Sequence, residues 1–253
     1  PALVDVRGWT RARSKCDEAA AAYYDPDRRA PGLMLEHIVA DIAVAACAVR
    51  ETNGSEEARA TYQYGRALLA RGKPPAARQA FEDAVRAGYP SARIDLAAQL
   101  VQSAAAPGDI ARAVSLYQQA WGDGIAIAAF DLGKLYEHGM SRAGGHGYLL
   151  TPDPSLAWSW YRKGVSAAEP DALAHFGERA EVAASSADPA RQSAYLLEAF
   201  KYYAAAAERA RREDWPDEAW RTWRYHRASL ARILARAGMM QEVAAAFEAV
   251  RVQ

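Results

Sequence analysis

Three stretches of the chain superimpose position by position: Ala77-Arg-Gln-Ala-Phe81-Glu-Asp-Ala84-Val-Arg-Ala-Gly88-Tyr-Pro-Ser-Ala92, then Ala113, Tyr117, Ala120, Gly124 and Ala128, then Ala157, Tyr161, Gly164, Ala168 and Ala172. In each, an aromatic follows the first residue by four positions, and small residues follow it by seven, eleven and fifteen. Offsets of four and seven put the aromatic and its small companions on one face of a helix, where a small side chain lets a neighbouring helix come close. The frames start at 77, 113 and 157, spaced by 36 and then 44 residues. Unequal spacing with equal internal offsets means that helices repeat while loops vary. Weaker copies stand at Ala199, Tyr203, Ala206 and at Val243, Phe247, Val250.

A second register runs upstream of these frames. A bulky residue followed by a small one recurs as Tyr64-Gly65, Leu96-Ala97, Leu132-Gly133, Phe176-Gly177 and Leu230-Ala231. Each unit therefore reads as a helix hairpin whose first helix carries this dipeptide and whose second carries the aromatic face. About a quarter of the chain is Ala, the strongest helix former, and the expected class is all-α. The 31 basic residues balance the 31 acidic ones, which argues against a nucleic-acid or anionic-membrane partner. The longest apolar run, Ile38 to Val49, is broken by Asp41 and is too short to span a membrane. The opening Pro1-Ala-Leu-Val-Asp5 lacks Met and a basic, apolar leader, so the chain reads as a mature or excised piece.

The segment Ala128-Ala-Phe-Asp-Leu-Gly-Lys-Leu-Tyr-Glu-His-Gly139, with Asp153-Pro-Ser-Leu-Ala-Trp-Ser-Trp-Tyr-Arg-Lys-Gly164, resembles a near-complete unit of the Sel1-like repeats, relatives of the tetratricopeptide repeats. The resemblance covers residues 60–172 best. It implies a right-handed superhelical solenoid of antiparallel helix hairpins over residues 55–253, with longer helices towards the C-terminus. Residues 1–54 read as a capping hairpin, helical over 11–24 and 34–50 around a turn-rich Asp25–Gly32. This block is similar to one in exported Sel1-like proteins of alphaproteobacteria, some of which carry a caspase-like protease domain.

The two cysteines, Cys16 and Cys47, fall one in each helix of that hairpin. A disulfide would close a loop of about 31 residues and stabilise by roughly 3.7 kcal/mol on a chain-entropy account, in an oxidising, exported or periplasmic compartment. Inert core thiols and a reactive thiol are the alternatives. His37, His138, His146, His175 and His226 show no metal-ligand spacing, and no metal or other cofactor is expected. Gly65-x6-Gly72-Lys73-Pro74 has the wrong spacing for a phosphate loop, and Pro74 stands where a hydroxyl would bind magnesium. No nucleophile elbow or paired-carboxylate framework appears, so the chain is not expected to be an enzyme. Asn53-Gly54-Ser55 fits a glycosylation pattern but is more simply a loop and helix start.

Two other segments invite a docking role. The Gly-rich insert His138–Pro154 carries Tyr148, Leu149 and Leu150, which either tuck onto the helices or form an arm; tucking is favoured. Trp215, Trp220, Trp223 and Tyr225 with Arg221, Arg224 and Arg227 read first as core and cation-π packing, second as a recognition patch. The residue before each bulky-small dipeptide is polar in all five units: Gln63, Asp95, Asp131, His175 and Ser229. With Arg66, Gln99, Lys134 and Arg179 a turn further on, this column is expected to line a concave groove for a protein or peptide partner. The expected function is a non-catalytic interaction scaffold; the alternative is a regulatory or substrate-recruiting domain of a larger enzyme such as a caspase-like protease.

Overall fold

The computed structural model describes residues 13–48 and 54–252. The chain divides into two compact units, Pro1–Ala128 with Gly139–Thr151, and Ala129–His138 with Pro152–Gln253. In the first, α1 (Lys15–Ala20), a 3-10 turn (Leu35–His37) and α2 (Ala40–Cys47) precede α3 (Gly54–Ala70), α4 (Pro74–Arg86), α5 (Ala92–Gln102) and α6 (Pro107–Gly122). Most of α7 (Ile127–His138) belongs to the second unit. So do α8 (Pro154–Ser166), α9 (Pro170–Ser185), α10 (Pro189–Arg212), α11 (Asp217–Arg236) and α12 (Met240–Val252). The fold is all-α, built of stacked helix hairpins: α4 packs on α3 and α5, α6 on α5, α9 on α8 and α10, and α11 on α10 and α12.

Helix starts and stops are local. Helices α4, α6, α8 and α9 each begin with Pro, whose missing N–H costs nothing in a first turn. Asp153 and Glu169 cap α8 and α9 through backbone N–H groups. The residue eleven places into each repeated frame ends the second helix in the left-handed region: Gly88, Gly124 and Ala168, with φ 82°, 87° and 54°. The next residue's N–H then reaches back to a carbonyl of the last turn, as Tyr89 does to Ala84, Ile125 to Ala120 and Glu169 to Gly164. The small residue is required at that position by the backbone, and Ala168 adopts the conformation at a cost.

The dipeptide register has a packing reason. A Cβ on Gly65 would lie 2.6 Å from the Phe81 ring, one on Gly133 2.4 Å from Tyr161, and one on Gly177 3.0 Å from Tyr203. Each glycine is thus the seat for the aromatic of the other helix of its hairpin, and Phe81, Tyr161 and Tyr203 are buried there. Gly164 lets α8 meet α9, since a Cβ would come 2.6 Å from that of Ala172.

The N-terminal block departs from the sequence reading. Cys16 and Cys47 form a disulfide, with Cα atoms 4.7 Å apart, inside a cluster with Ala20, Ile38, Ala43 and Ala67. The expected helix over 11–24 is confined to Lys15–Ala20 within the described residues; positions 11 and 12 lie outside them. Beyond it Ala22 pairs with Leu33 in an isolated bridge, turns and bends occupy much of 23–30, and Leu33 donates its N–H to the Ala21 carbonyl at 2.8 Å. The expected helix over 34–50 is interrupted at Ile38 and Val39, both extended, which carries Ile38 into the disulfide cluster; its last residues, 49–50, lie outside the described ones, as does Asn53. Tertiary contacts override helix propensity here. The block packs on α3 within the first unit. The Gly-rich insert forms a small antiparallel hairpin, β1 (Met140–Ser141) and β2 (Tyr148–Leu150), against α6, with Leu149 and Leu150 half-buried and Tyr148 exposed.

Candidate partner-binding face

The polar register behaves differently in the two units. In the first, Gln63 and Arg66 are buried on α3. Gln63 donates from Nε2 to Asp17 Oδ1 at 3.0 Å, and Arg59 donates from Nε to the same oxygen at 2.9 Å. Burial alone would raise the Asp17 carboxyl, but the Ser14 backbone N–H, the Gln63 amide and the Arg59 charge hold it below its usual range. Arg66 donates from Nη1 to the Ala20 carbonyl at 3.2 Å and from Nη2 to the Leu33 carbonyl at 2.8 Å. Its Nε lies 4.0 Å from Asp95 Oδ2, which accepts the Tyr24 hydroxyl at 2.7 Å. Tyr89 and Ser91 donate to the buried Asp25 at 2.6 and 2.9 Å.

The face of α3 and α5 that carries Gln63, Arg66 and Asp95 is therefore covered by the chain's own segment from Asp17 to Leu33. Gly32 makes that path possible, because a Cβ there would fall 2.1 Å from Tyr23 Cα. Gln99 is also buried, and neither of its amide atoms meets a hydrogen-bond partner. Beside this region an apolar hollow of about 960 Å³ opens between α1, α2 and α3, with Val39 and Ile42 exposed on its wall.

In the second unit the register is open to solvent at several points. Asp131 is half-buried, Lys134 is exposed with Nζ 5.3 Å from the Phe130 ring centroid, and Arg179 is exposed. Tyr161 donates its hydroxyl to Glu137 Oε2 at 2.6 Å, and the His175 ring stacks on Tyr161 at 4.1 Å with Nε2 4.0 Å from the same oxygen. Burial, above all, depresses the His175 imidazole below its usual value, and Arg179 and His138 add to that against the pull of Glu137, so the ring is neutral at pH 7. Arg179 Nη1 stands 3.8 Å from Glu137 Oε1, and its guanidinium lies 5.8 Å from the ring centroid of Trp158, which stacks on Phe176.

The same constellation recurs one repeat on. Tyr203 donates to Glu181 Oε2 at 2.8 Å, and His226 stacks on Tyr203 at 4.9 Å with Nδ1 2.9 Å from Glu181 Oε2. The polar column does not reveal these carboxylates, yet a signal exists: Glu137 and Glu181 each stand four residues after the glycine of the dipeptide. The Tyr161 and Tyr203 hydroxyls are raised first by burial and then by the bond to the glutamate, so both remain donors.

The other candidates resolve simply. Trp215 and Trp223 are buried, Arg224 lies over Trp220 at 4.9 Å and Arg227 over Phe247 at 5.3 Å, while Tyr225 is exposed. His138 and His146 are exposed. Among the described residues no group of three His, Cys, Asp or Glu could hold a metal ion, and no helix is long and apolar enough to cross a membrane. No protein-family model matches the chain, and no curated protein matches it. Among solved structures it is similar to the Sel1 repeat protein from Oxalobacter formigenes, at 19% identity over 68% of this chain and 73% of that one, with a TM-score of 0.41.

Proposed function

We propose that the chain is a non-catalytic, Sel1-like repeat scaffold, capped by residues 1–54, that binds an extended segment of a protein partner over α7 and α9. Asp131, Lys134, His175 and Arg179 are the contact residues. The observation that carries this reading is the double hydrogen bond from Arg66 to the carbonyls of Ala20 and Leu33. A cation one residue after the glycine of a first helix there holds two backbone carbonyls of the covering segment, and Asp95, before the next dipeptide, takes a side chain of the same segment. Lys134 follows Gly133 as Arg66 follows Gly65, and His175 precedes Phe176-Gly177 as Asp95 precedes Leu96-Ala97. In the first unit the binding position is filled from within; in the second, Lys134 and Arg179 are exposed. A preformed helical surface costs little to order on binding.

The test is selection of displayed random peptides on the intact protein. Wild type is expected to enrich a family of sequences, Lys134→Ala to lose it, and Lys134→Arg to keep it, with helicity unchanged in all three; no enrichment by wild type refutes the reading. The disulfide supports an exported or periplasmic setting. A count of free thiols in denatured protein taken from its source checks that, two thiols being the adverse result. The same face would recruit substrate if the chain serves a larger enzyme such as a caspase-like protease.

A further inference from the structure

The two constellations of the second unit differ in one respect. At Glu137 the tyrosine hydroxyl takes Oε2 and a guanidinium, that of Arg179, approaches Oε1. At Glu181 both neighbours, Tyr203 and His226, take Oε2, and among the described residues no Lys or Arg forms an ion pair with Oε1. Neither Leu230, four residues after His226 as Arg179 is after His175, nor Ile233, which shares the dipeptide register of Arg179, can supply one.

Glu181 keeps 30% of its side chain accessible, and with Tyr203 and His226 both on Oε2 it presents Oε1 to a charged N–H donor. Tyr225, the residue before His226, is 68% exposed and stands edge-on to that ring. The local field favours a cation: burial first, then the Glu181 and Glu137 carboxylates, raise the Glu178 carboxyl against the pull of His226. An added positive charge would relieve that crowding.

Resting on the partner-face reading, we infer that Glu181, in its constellation with Tyr203 and His226, receives an arginine side chain of the bound segment at Oε1, as Glu137 meets Arg179. Arginine is preferred to lysine because the equivalent carboxylate one repeat earlier, Glu137, is met by a guanidinium, that of Arg179.

The experiment uses the peptides selected on the intact protein. The enriched family should hold arginine at one fixed position, and a synthetic peptide of the leading sequence should bind about five- to tenfold more tightly than its citrulline analogue, which keeps shape and loses charge. Glu181→Gln should erase that discrimination, and Glu82→Gln, which removes a carboxylate from the first unit, should leave it. Enrichment of sequences with no fixed arginine, or equal binding of the arginine and citrulline peptides that still falls on Lys134→Ala, overturns the arginine site and leaves the partner face standing. Failure of every peptide to bind overturns both.

Discussion

Gly133→Ala tests the packing rule on which the repeats depend. In an ordinary exposed helix this change stabilises by about 1 kcal/mol, because Ala is the better helix former. Here the new Cβ would sit 2.4 Å from two atoms of the Tyr161 ring, more than an ångström inside normal carbon contact. The ring has nowhere easy to go: its hydroxyl donates to Glu137 at 2.6 Å and its face is stacked on His175. Overpacking costs about 2 kcal/mol and losing a hydrogen bond to a charged acceptor about 2 more, so after the propensity gain the net destabilisation is about 3 kcal/mol. Gly122→Ala is the matched control, since nothing lies within 4 Å of a Cβ there. Urea denaturation followed by circular dichroism should place the two variants on opposite sides of wild type, and Gly133→Ala paired with Tyr161→Leu should recover part of the loss. If Gly133→Ala proves as stable as Gly122→Ala, the aromatic does not seat on the glycine and the account of the repeat register is wrong.

Ala168→Gly should stabilise by about 1 kcal/mol, because φ of 54° strains any residue with a Cβ and not glycine; an unchanged or lower denaturation midpoint would count against the strain. Replacing both Cys16 and Cys47 with Ser should cost roughly 3.7 kcal/mol through the freed loop of 31 residues, read as an earlier urea transition; no loss would mean that the denatured chain is not constrained by the bridge. Burial raises the Asp171 carboxyl to about 6 against the pull of Lys134, so the folded state binds this proton more tightly than the unfolded one. Its stabilising contribution is present in acid and is lost as pH rises from the ordinary carboxyl range through about 6. Asp171→Asn should therefore flatten the pH dependence of the urea midpoint over that interval, and an unaltered slope refutes the assignment.

Much of this molecule follows from local chemistry. The offsets of four and seven identify the face of each second helix, and Phe81, Tyr161 and Tyr203 are buried there, because helical period alone decides which side chains share a side. Prolines at helix starts and glycines past helix ends are likewise dictated by backbone geometry within a few residues. The position of the two cysteines in one short hairpin made their pairing legible too.

What lay beyond the sequence is which polar positions meet solvent. Gln63 and Lys134 belong to the same periodic surface, yet one is buried under the segment from Asp17 to Leu33 and the other is exposed. That difference depends on a turn-rich segment that breaks the first expected helix, and its hydrogen bonds to Arg66, Asp95 and Tyr89 join residues more than thirty positions apart. The Glu137 and Glu181 constellations have the same origin, each assembled from three helices whose side chains converge only once the hairpins stack. Periodicity assigns a residue to a face of its own helix; what covers that face is a property of the packed chain.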